Sequence, residues 1–300
     1  MLQLPFIKPT AADRAYRIVC LVILAVVMVL FVYPLWYILC ASFSDPLSMF
    51  DNPVMLAPAK LSLTSYQTAI GNMQLWIGYR NSLFYLVCFT VLALILTTMA
   101  AYPLSRKDFV GRNVLTMFYT FTMFFSGGMI PSFLVNKALG LYNNIWVMII
   151  YGSVATFYII VLRTYFQSSV PGELVESAQI DGASTIQGLW KVVIPLSKPV
   201  YAVLTLWYGL MIWNDYMKAL IYVSNQDLYP LQLILRNILL LSQMTGMTAV
   251  VTDQAYFDQM IQNYGLKYVV IVVSTVPIFI IYPFVQKFFK QGILIGALKG

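Results

Sequence analysis

Residues 173 to 199, which read ELVESAQIDGASTIQGLWKVVIPLSKP, form a polar segment between two apolar parts of the chain. Pro171, just before it, suits the first turn of a helix, where a missing N–H is tolerated. Glu173 follows in the first turn, where the helix dipole favours negative charge. Asp181 and Gly182 are expected to end this helix. The segment therefore begins with a short helix that stops at a glycine turn.

A second helix is predicted beyond the glycine. Ser184 and Gln187 have the spacing of a capping box, and Pro195 is expected to end the helix. Between them, one face is predicted to be apolar and consists of Ile186, Leu189, Trp190 and Val193. The pattern predicts a helical hairpin whose glycine turn projects from the protein. A plain loop or a hairpin lying on lipid is the alternative, although a lipid-surface hairpin would carry more Lys and Arg than Lys191 alone.

The composition places the rest of the chain in a bilayer. Of 300 residues, 60% are hydrophobic and only 10% are charged. Six apolar runs are long enough to cross about 30 Å of hydrocarbon, namely Ile18–Ala41, Leu83–Tyr102, Val114–Val135, Ile145–Leu162, Val200–Val223 and Tyr268–Val285. The third is interrupted by glycines and a proline, and the fifth contains ionisable residues. The sequence predicts an all-α integral membrane protein with six transmembrane helices.

The distribution of basic residues predicts the orientation. If the N-terminus is cytoplasmic, the external segments hold only Lys60, Arg80, Lys137, Arg236 and Lys267, and nearly all other Lys and Arg lie inside. The predicted organisation is a cytoplasmic segment 1–17, a six-span domain 18–286 and a cytoplasmic tail 287–300. Within the domain, loop 171–199 is cytoplasmic and segment 224–266 is external. The net charge of +7 then reflects topology, and no basic stripe with interleaved aromatics indicates nucleic acid.

The residues that are missing exclude several kinds of chemistry. The chain has no His, and its cysteines, Cys20, Cys40 and Cys88, lie singly in apolar runs without metal or disulfide spacing. It has no phosphate-binding loop of the G-x-x-x-x-G-K-[ST] type. No cofactor or metal is expected in this chain, and any energy from ATP must come through a partner.

Polar residues near the end of the fifth predicted span are candidates for a transport path. Asp215 and Lys218, three residues apart, are expected on one helix face, with Asn214 beside them. They either line the path or form an interfacial ion pair that holds the packing. The aromatic residues there either stack on sugar rings or belong to an interfacial belt, and they are Trp207, Tyr208, Trp213 and Tyr216.

Segment 224–266 is too long for a simple connection. It contains Tyr229-Pro230-Leu231-Gln232, which is predicted to begin a short helix, followed by a polar stretch rich in Thr, Gln and Asp. We interpret it as a docking surface for an external protein, with a disordered loop as the alternative.

The hairpin resembles the cytoplasmic EAA loop of ABC importer permeases. Their pattern is Glu-Ala-Ala, three residues, a glycine, and later Ile-x-Leu-Pro. Here it reads Glu176-Ser177-Ala178, then Asp181-Gly182-Ala183, then Val192-Val193-Ile194-Pro195, with Ser for Ala and Ile for Leu. The resemblance implies that these residues fit a cleft on an ATP-hydrolysing subunit.

Further motifs are similar to those of maltose-importer-type carbohydrate permeases, especially the smaller permease of the polysaccharide branch, which includes the alginate importer. They are Phe125 to Pro131, Leu139-Gly140-Leu141, Trp213-Asn214-Asp215, Tyr229-Pro230-Leu231-Gln232 and the tail Gly292 to Gly300. The likeness extends from about Ile18 to the end. It implies a type I ABC importer permease fold and a tail, including Gly292, Gly296 and Lys299, at the ATPase interface. The tail could also be a frayed terminus.

The resemblance also implies the partners: a second permease, two ATPase subunits that bind ATP and Mg, and an external solute-binding protein. The expected function is import of oligosaccharides, including acidic ones, across a bacterial cytoplasmic membrane by ATP-driven alternating access. A membrane enzyme that acts on lipid-linked sugars is the alternative, but Asp45, Asp51 and Asp108 are too scattered to form its site. A secondary transporter is disfavoured by the docking hairpin.

Overall fold

The computed structural model of the protein describes residues 11–51, 56–247 and 254–297. This part of the chain is helical, and its only strand-like pairing is an isolated bridge between Ser44 and Leu61. The helices are α1 (Ala11–Ser42), α2 (Ser48–Asp51), α3 (Thr64–Gly71), α4 (Met73–Ser105), α5 (Arg112–Phe124), α6 (Met129–Ala138), α7 (Ile145–Ile150), α8 (Thr156–Ser169), α9 (Gly172–Ile180), α10 (Thr185–Leu196), α11 (Lys198–Trp213), α12 (Met217–Tyr222), α13 (Leu231–Met247) and α14 (Gln254–Ala297). A 3₁₀ turn, Gln226–Leu228, precedes α13. The predicted all-α class is confirmed.

The chain divides into two units. The first comprises residues 1–71 and 238–273, and the second comprises residues 72–237 and 274–300. In the first unit, Cys40 and Ala41 at the end of α1 pack with Met49 and Tyr268. Tyr268 also meets the ring of Tyr37 edge to face, with 6.1 Å between ring centroids.

In the second unit, α4 is the central helix, and α8 and α11 pack along it. Two apolar clusters lie along these helices. The first cluster includes Tyr85, Phe89 and Tyr208. The second includes Tyr102 and Phe166, together with Val175 and Val193 of the hairpin. The hairpin is thus packed directly against the helices that carry the membrane-crossing sequence.

Among the described residues, three helices are long and apolar enough to cross a membrane: Ala11–Ser42, Met73–Ser105 and the Ile261–Pro283 part of α14. Two bent pairs qualify as broken spans. One is α5 with α6, at 116°, and the other is α10 with α11, at 83°. By length and composition, the described residues give three to five spans, so the predicted count of six is not confirmed. The break in the third predicted span lies at Phe125 to Gly128, as the glycines indicated.

The fourth predicted span, Ile145–Leu162, was wrong as a continuous helix. Helix α7 ends at Ile150 and α8 begins at Thr156. Between them Gly152 has φ +84°, a left-handed conformation that stops a helix. The Ser153 hydroxyl donates to the carbonyl of Ile150 at 2.8 Å and so satisfies an acceptor at the helix end. Because the run is largely apolar, hydropathy alone did not reveal the turn, which local hydrogen bonds stabilise.

The fifth predicted span, Val200–Val223, also breaks. Helix α11 ends at Trp213, and α12 begins only at Met217. In the segment predicted to be external, α13 continues far beyond the predicted short helix, and α14 already begins at Gln254. Within residues 224–266, the structure describes 224–247 and 254–266, and these are mostly helical.

At Gly78, the start of α13 approaches α4 closely. A Cβ on Gly78 would lie 3.1 Å from Leu231 Cα, and the side chain of Ile234 would be closer still. We expect Gly78→Ala to lower the thermal unfolding midpoint, because an added atom in a packed site costs about 1–3 kcal/mol. Gly71→Ala is the control, since a Cβ there meets nothing within 4 Å. Equal midpoints for both variants in detergent would contradict the close approach.

Candidate coupling hairpin and transport path

The first helix of the hairpin ends in a hydrogen-bonded glycine turn. The N–H of Ala183 donates to the carbonyl of Ala178 at 2.9 Å, and the N–H of Gly182 donates to that of Gln179 at 3.0 Å. These two bonds form a Schellman motif, which requires a left-handed residue after the helix. Gly182 supplies it with φ +84°. The predicted break at Asp181 and Gly182 is confirmed, and Pro171 lies at the N-cap, just before the first turn.

The second helix starts with the predicted capping box. The N–H of Gln187 donates to the Ser184 hydroxyl at 3.3 Å, and the N–H of Ser184 donates to the Gln187 side-chain carbonyl at 2.9 Å. Helix α10 then contains a π-helical turn, Leu189–Val193. It ends at Leu196, one residue beyond Pro195. The two helices therefore enter and leave the glycine turn with fixed geometry.

The hairpin has one buried side and one exposed side. Val175 and Val193, one from each helix, are buried in the cluster with Tyr102 and Phe166. Five large apolar side chains remain more than 40% exposed, and they are Leu174, Ile180, Ile186, Trp190 and Leu196. At Gly182 the space where a Cβ would be is open. Exposed apolar groups around a rigid turn are typical of a protein-binding surface.

Glu176 faces a groove beside the hairpin that contains a charged cluster of this same chain. The groove has a volume of about 790 Å³, and Glu176 shares its lining with Arg106 and Asp108. Arg106 binds Asp108 through two hydrogen bonds, at 3.1 and 3.3 Å. Those bonds raise the pKa of Arg106, to which Glu176 adds a smaller electrostatic effect, and they lower the pKa of Asp108. Sequence reasoning missed this cluster, although Arg106-Lys107-Asp108 lies shortly after the second predicted span.

Asp215 and Lys218 form the predicted ion pair, with 3.3 Å between Asp215 Oδ2 and Lys218 Nζ. Their setting differs from the prediction, because Asp215 lies in the break before α12 and Lys218 lies in the first turn of α12, so they do not share a helix face. Asp215 precedes α12 and accepts a hydrogen bond from the N–H of Lys218 at 3.1 Å. The Lys218 side chain is only 7% exposed, and its Nζ lies 4.8 Å from the centroid of the Phe89 ring. The pair is thus built into the packing of α4 and α12.

The aromatic candidates are also packed. Tyr208 is fully buried, and its hydroxyl is 2.6 Å from that of Thr97. Trp213 is 3% exposed and donates its indole N–H to the carbonyl of Ser274 at 3.2 Å. Asn214 is exposed and donates to the carbonyl of Leu210 in its own helix at 2.8 Å. In this arrangement, Tyr208 and Trp213 present no open ring face, and contact of these residues with a sugar stays a prediction.

The tail residues are only partly covered by the structure. Gly292 and Gly296 lie within α14, and Lys299 falls outside the described residues. A contact of this tail with an ATPase subunit stays a prediction.

Several apolar spans, some broken by turns, together with a rigid exposed hairpin, define a multi-pass membrane transport subunit. The chain belongs to the family described as the binding-protein-dependent transport system inner membrane component, which matches residues 90–295. It is therefore a permease of the ABC importer class, and the predicted family is confirmed.

Two curated relatives come from Bacillus subtilis. Protein LplC is 35% identical over 300 residues and covers all of both chains. The polygalacturonan/rhamnogalacturonan transport system permease protein YtcP is 36% identical over 269 residues, 90% of this chain and 93% of the relative. A crystal structure of a bacterial ABC transporter involved in import of the acidic polysaccharide alginate contains a similar chain. It has 32% identity and a TM-score of 0.85, and the match covers 95% of this chain and 100% of that one. The type I permease fold is thus supported by an experimental structure.

Proposed function

We propose that this chain is one of two permease subunits of an ATP-driven importer that moves oligosaccharides, including acidic ones, across the bacterial cytoplasmic membrane. The observation that supports this most directly is the hairpin of α9 and α10. It combines a rigid glycine turn, five exposed apolar side chains and buried anchors in the span packing. Such a surface fits a cleft on an ATPase subunit, which would bind ATP and Mg. Glu176, Ser177, Ala178, Asp181, Gly182 and Ala183 are its coupling residues.

The proposed mechanism is alternating access. Closure of the ATPase subunits on ATP moves the hairpin, and Val175 and Val193 pass that displacement to the buried cluster around Tyr102 and Phe166. Coupling requires that the closed ATPases bind one permease conformation more tightly than the other. A loaded solute-binding protein docks outside at the helices of residues 224–266, and hydrolysis resets the inward-facing state. Both termini, and the tail with Gly292, Gly296 and Lys299, then lie on the ATPase side.

The acidic substrate class is supported by the relatives. Alginate and polygalacturonan are both polymers of uronic acids, and the names of two similar proteins refer to them. On this view, a sugar carboxylate is recognised by the assembled transporter, and the binding protein delivers it. Lys218 is not required for that recognition, because Asp215 already neutralises its charge.

The substrate class can be tested with the complete transporter in proteoliposomes. We expect ATP hydrolysis to rise when the binding protein is loaded with short oligogalacturonates or alginate fragments, because a loaded binding protein selects the ATPase-closed conformation. Neutral oligosaccharides of the same length are the control and should give roughly tenfold less stimulation, which corresponds to about 1.4 kcal/mol of discrimination. Stronger stimulation by the neutral sugars would overturn the acidic assignment and leave the importer assignment intact.

A further inference from the structure

The groove beside Glu176 contains positive charge that the chain itself does not use. Its charged lining consists of Arg106, Lys107, Arg112, Asp108 and Glu176, which leaves one net positive charge. Arg106 is paired with Asp108, whose side chain is 72% exposed. Within the described residues, neither Lys107 nor Arg112 forms an ion pair.

Helix α4 does not compete for these cations. Its last carbonyl groups would normally attract positive side chains. The carbonyl of Leu104 already accepts a hydrogen bond from Arg163 at 3.0 Å, and that of Ser105 accepts one from Gln167 at 3.3 Å. Arg112 makes a single long contact, 3.4 Å, to the carbonyl of Arg106. Most N–H groups of Arg112 and the ammonium of Lys107 remain available to an anion.

Tyr102 gives an independent indication of a ligand. It lines the same groove and is only 6% exposed. Its hydroxyl is buried and has no hydrogen-bond partner in the described chain. A buried hydroxyl without a partner is expensive, at about 1–3 kcal/mol, and usually indicates a missing water, ion or ligand. The Tyr102 ring is fixed edge to face against Phe166, so the hydroxyl is held in place.

The location indicates what kind of anion is available. The loop from residue 106 to 111 is only six residues long and joins α4 to α5, both of which belong to candidate spans. A loop this short stays at the bilayer surface. Its apolar residues point outward, with Val110 92% and Phe109 38% exposed, between basic residues. Apolar side chains flanked by Lys and Arg are typical of a segment that inserts among anionic headgroups.

We propose that this groove binds the phosphate of an anionic phospholipid headgroup, held by Lys107, Arg112 and the Tyr102 hydroxyl, with Phe109 and Val110 among the acyl chains. The bound lipid connects the end of α4 to the coupling hairpin, because Glu176 and Gln179 of α9 line the same groove. This assigns to the permease a lipid site that is separate from the transport path and from the exposed face of the hairpin.

The test titrates phosphatidylglycerol into the purified transporter in mixed micelles that contain phosphatidylcholine. Native mass spectrometry measures how much phosphatidylglycerol the transporter retains. Each basic residue near an anionic surface contributes about fivefold in affinity, so Lys107→Gln with Arg112→Gln should weaken binding roughly thirtyfold. Tyr102→Phe should weaken it about fivefold. In phosphatidylcholine alone, the Tyr102→Phe variant should keep the thermal unfolding midpoint of the wild type, because the substitution removes a hydroxyl without a partner. Lys191→Gln with Lys198→Gln, which removes two exposed charges outside the groove, is the matched control.

Two further measurements separate the possible ligands. Phosphatidylglycerol should raise the unfolding midpoint of the wild-type complex and not that of the Lys107/Arg112 variant. Inorganic phosphate should not replace it. Equal lipid retention in the variant and its control would overturn the proposal, and so would stabilisation by inorganic phosphate alone. No sugar, binding protein or ATP is present, so these results are independent of the transport function.

Discussion

Replacement of Gly182 by Val is expected to abolish most sugar uptake while the protein still inserts in the membrane. Gly182 has φ +84°, and the Schellman bonds of Ala183 and Gly182 depend on that conformation. A left-handed conformation costs an L-residue about 1–2 kcal/mol, and a β-branched residue more. The population of the native hairpin geometry, relative to other conformations of the turn, would thus fall roughly tenfold. Gly182→Pro should have a larger effect, because proline cannot adopt a positive φ. The measurement is uptake together with ATP hydrolysis stimulated by binding protein.

Two variants separate backbone strain from loss of the docking contact. Gly140→Val imposes the same strain at another left-handed glycine, with φ +72° and open space around it, and should retain coupling. Gly182→Asn tolerates the left-handed region, so it should keep the turn. If Gly182→Asn is as inactive as Gly182→Val, the ATPase cleft requires a tip without a side chain. Normal stimulated hydrolysis in Gly182→Pro would refute a coupling function for the turn.

The second large effect is expected at the buried ion pair, and it should be asymmetric. Asp215→Asn leaves the ammonium of Lys218, which is 7% exposed, without its counter-charge and should cost about 3 kcal/mol of unfolding free energy. Lys218→Met should cost less, because the Asp215 side chain is 23% exposed and water can solvate it. The double variant should recover much of the loss, as a double-mutant cycle of unfolding in mixed micelles would show.

Uptake by the same variants distinguishes structure from recognition. If the pair only stabilises the packing around Phe89, the double variant should transport acidic and neutral sugars as well as its stability allows. If Lys218 binds a sugar carboxylate, the double variant should be stable and yet fail with acidic sugars alone. Additive single effects, without recovery, would show that the two side chains are not energetically coupled.

The coupling hairpin could be read from sequence because its signals are local. A capping box needs only Ser184 and Gln187 at the right spacing, and a left-handed stop needs only a glycine. Both are present in the structure as predicted. The family resemblance rested on neighbouring motifs of the same hairpin, Glu176-Ser177-Ala178 and Asp181-Gly182-Ala183, and the match to residues 90–295 confirms the family.

The breaks in the membrane-crossing segments were less predictable. Tyr151-Gly152 lies in an apolar run, and hydropathy does not distinguish a buried turn from a helix. At the break after Trp213, the Asp215 carboxylate accepts a hydrogen bond from the N–H of Lys218, an arrangement that ordinary helical spacing between the two residues concealed. The hydroxyl of the buried Tyr208 lies 2.6 Å from that of Thr97, which is more than 100 positions away in the sequence. Distant pairings of this kind leave no periodic trace in one sequence.

Helices α10 and α11 meet at 83°, so together they form a lever with two arms at nearly a right angle. At the corner, Ser197 is fully buried, and its single N–H is shared between the carbonyls of Val193 and Ile194, at 3.0 Å from each. With a rise of about 1.5 Å per residue, the short arm measures about 18 Å and the long arm about 24 Å. A rotation about Ser197 that shifts the glycine tip by one ångström therefore shifts the far end of α11, at Trp213, by about 1.3 Å in the perpendicular direction. Under the proposed coupling function, a small stroke of the ATPase subunit at the hairpin is thus enlarged along α11 and turned through nearly a right angle at Ser197.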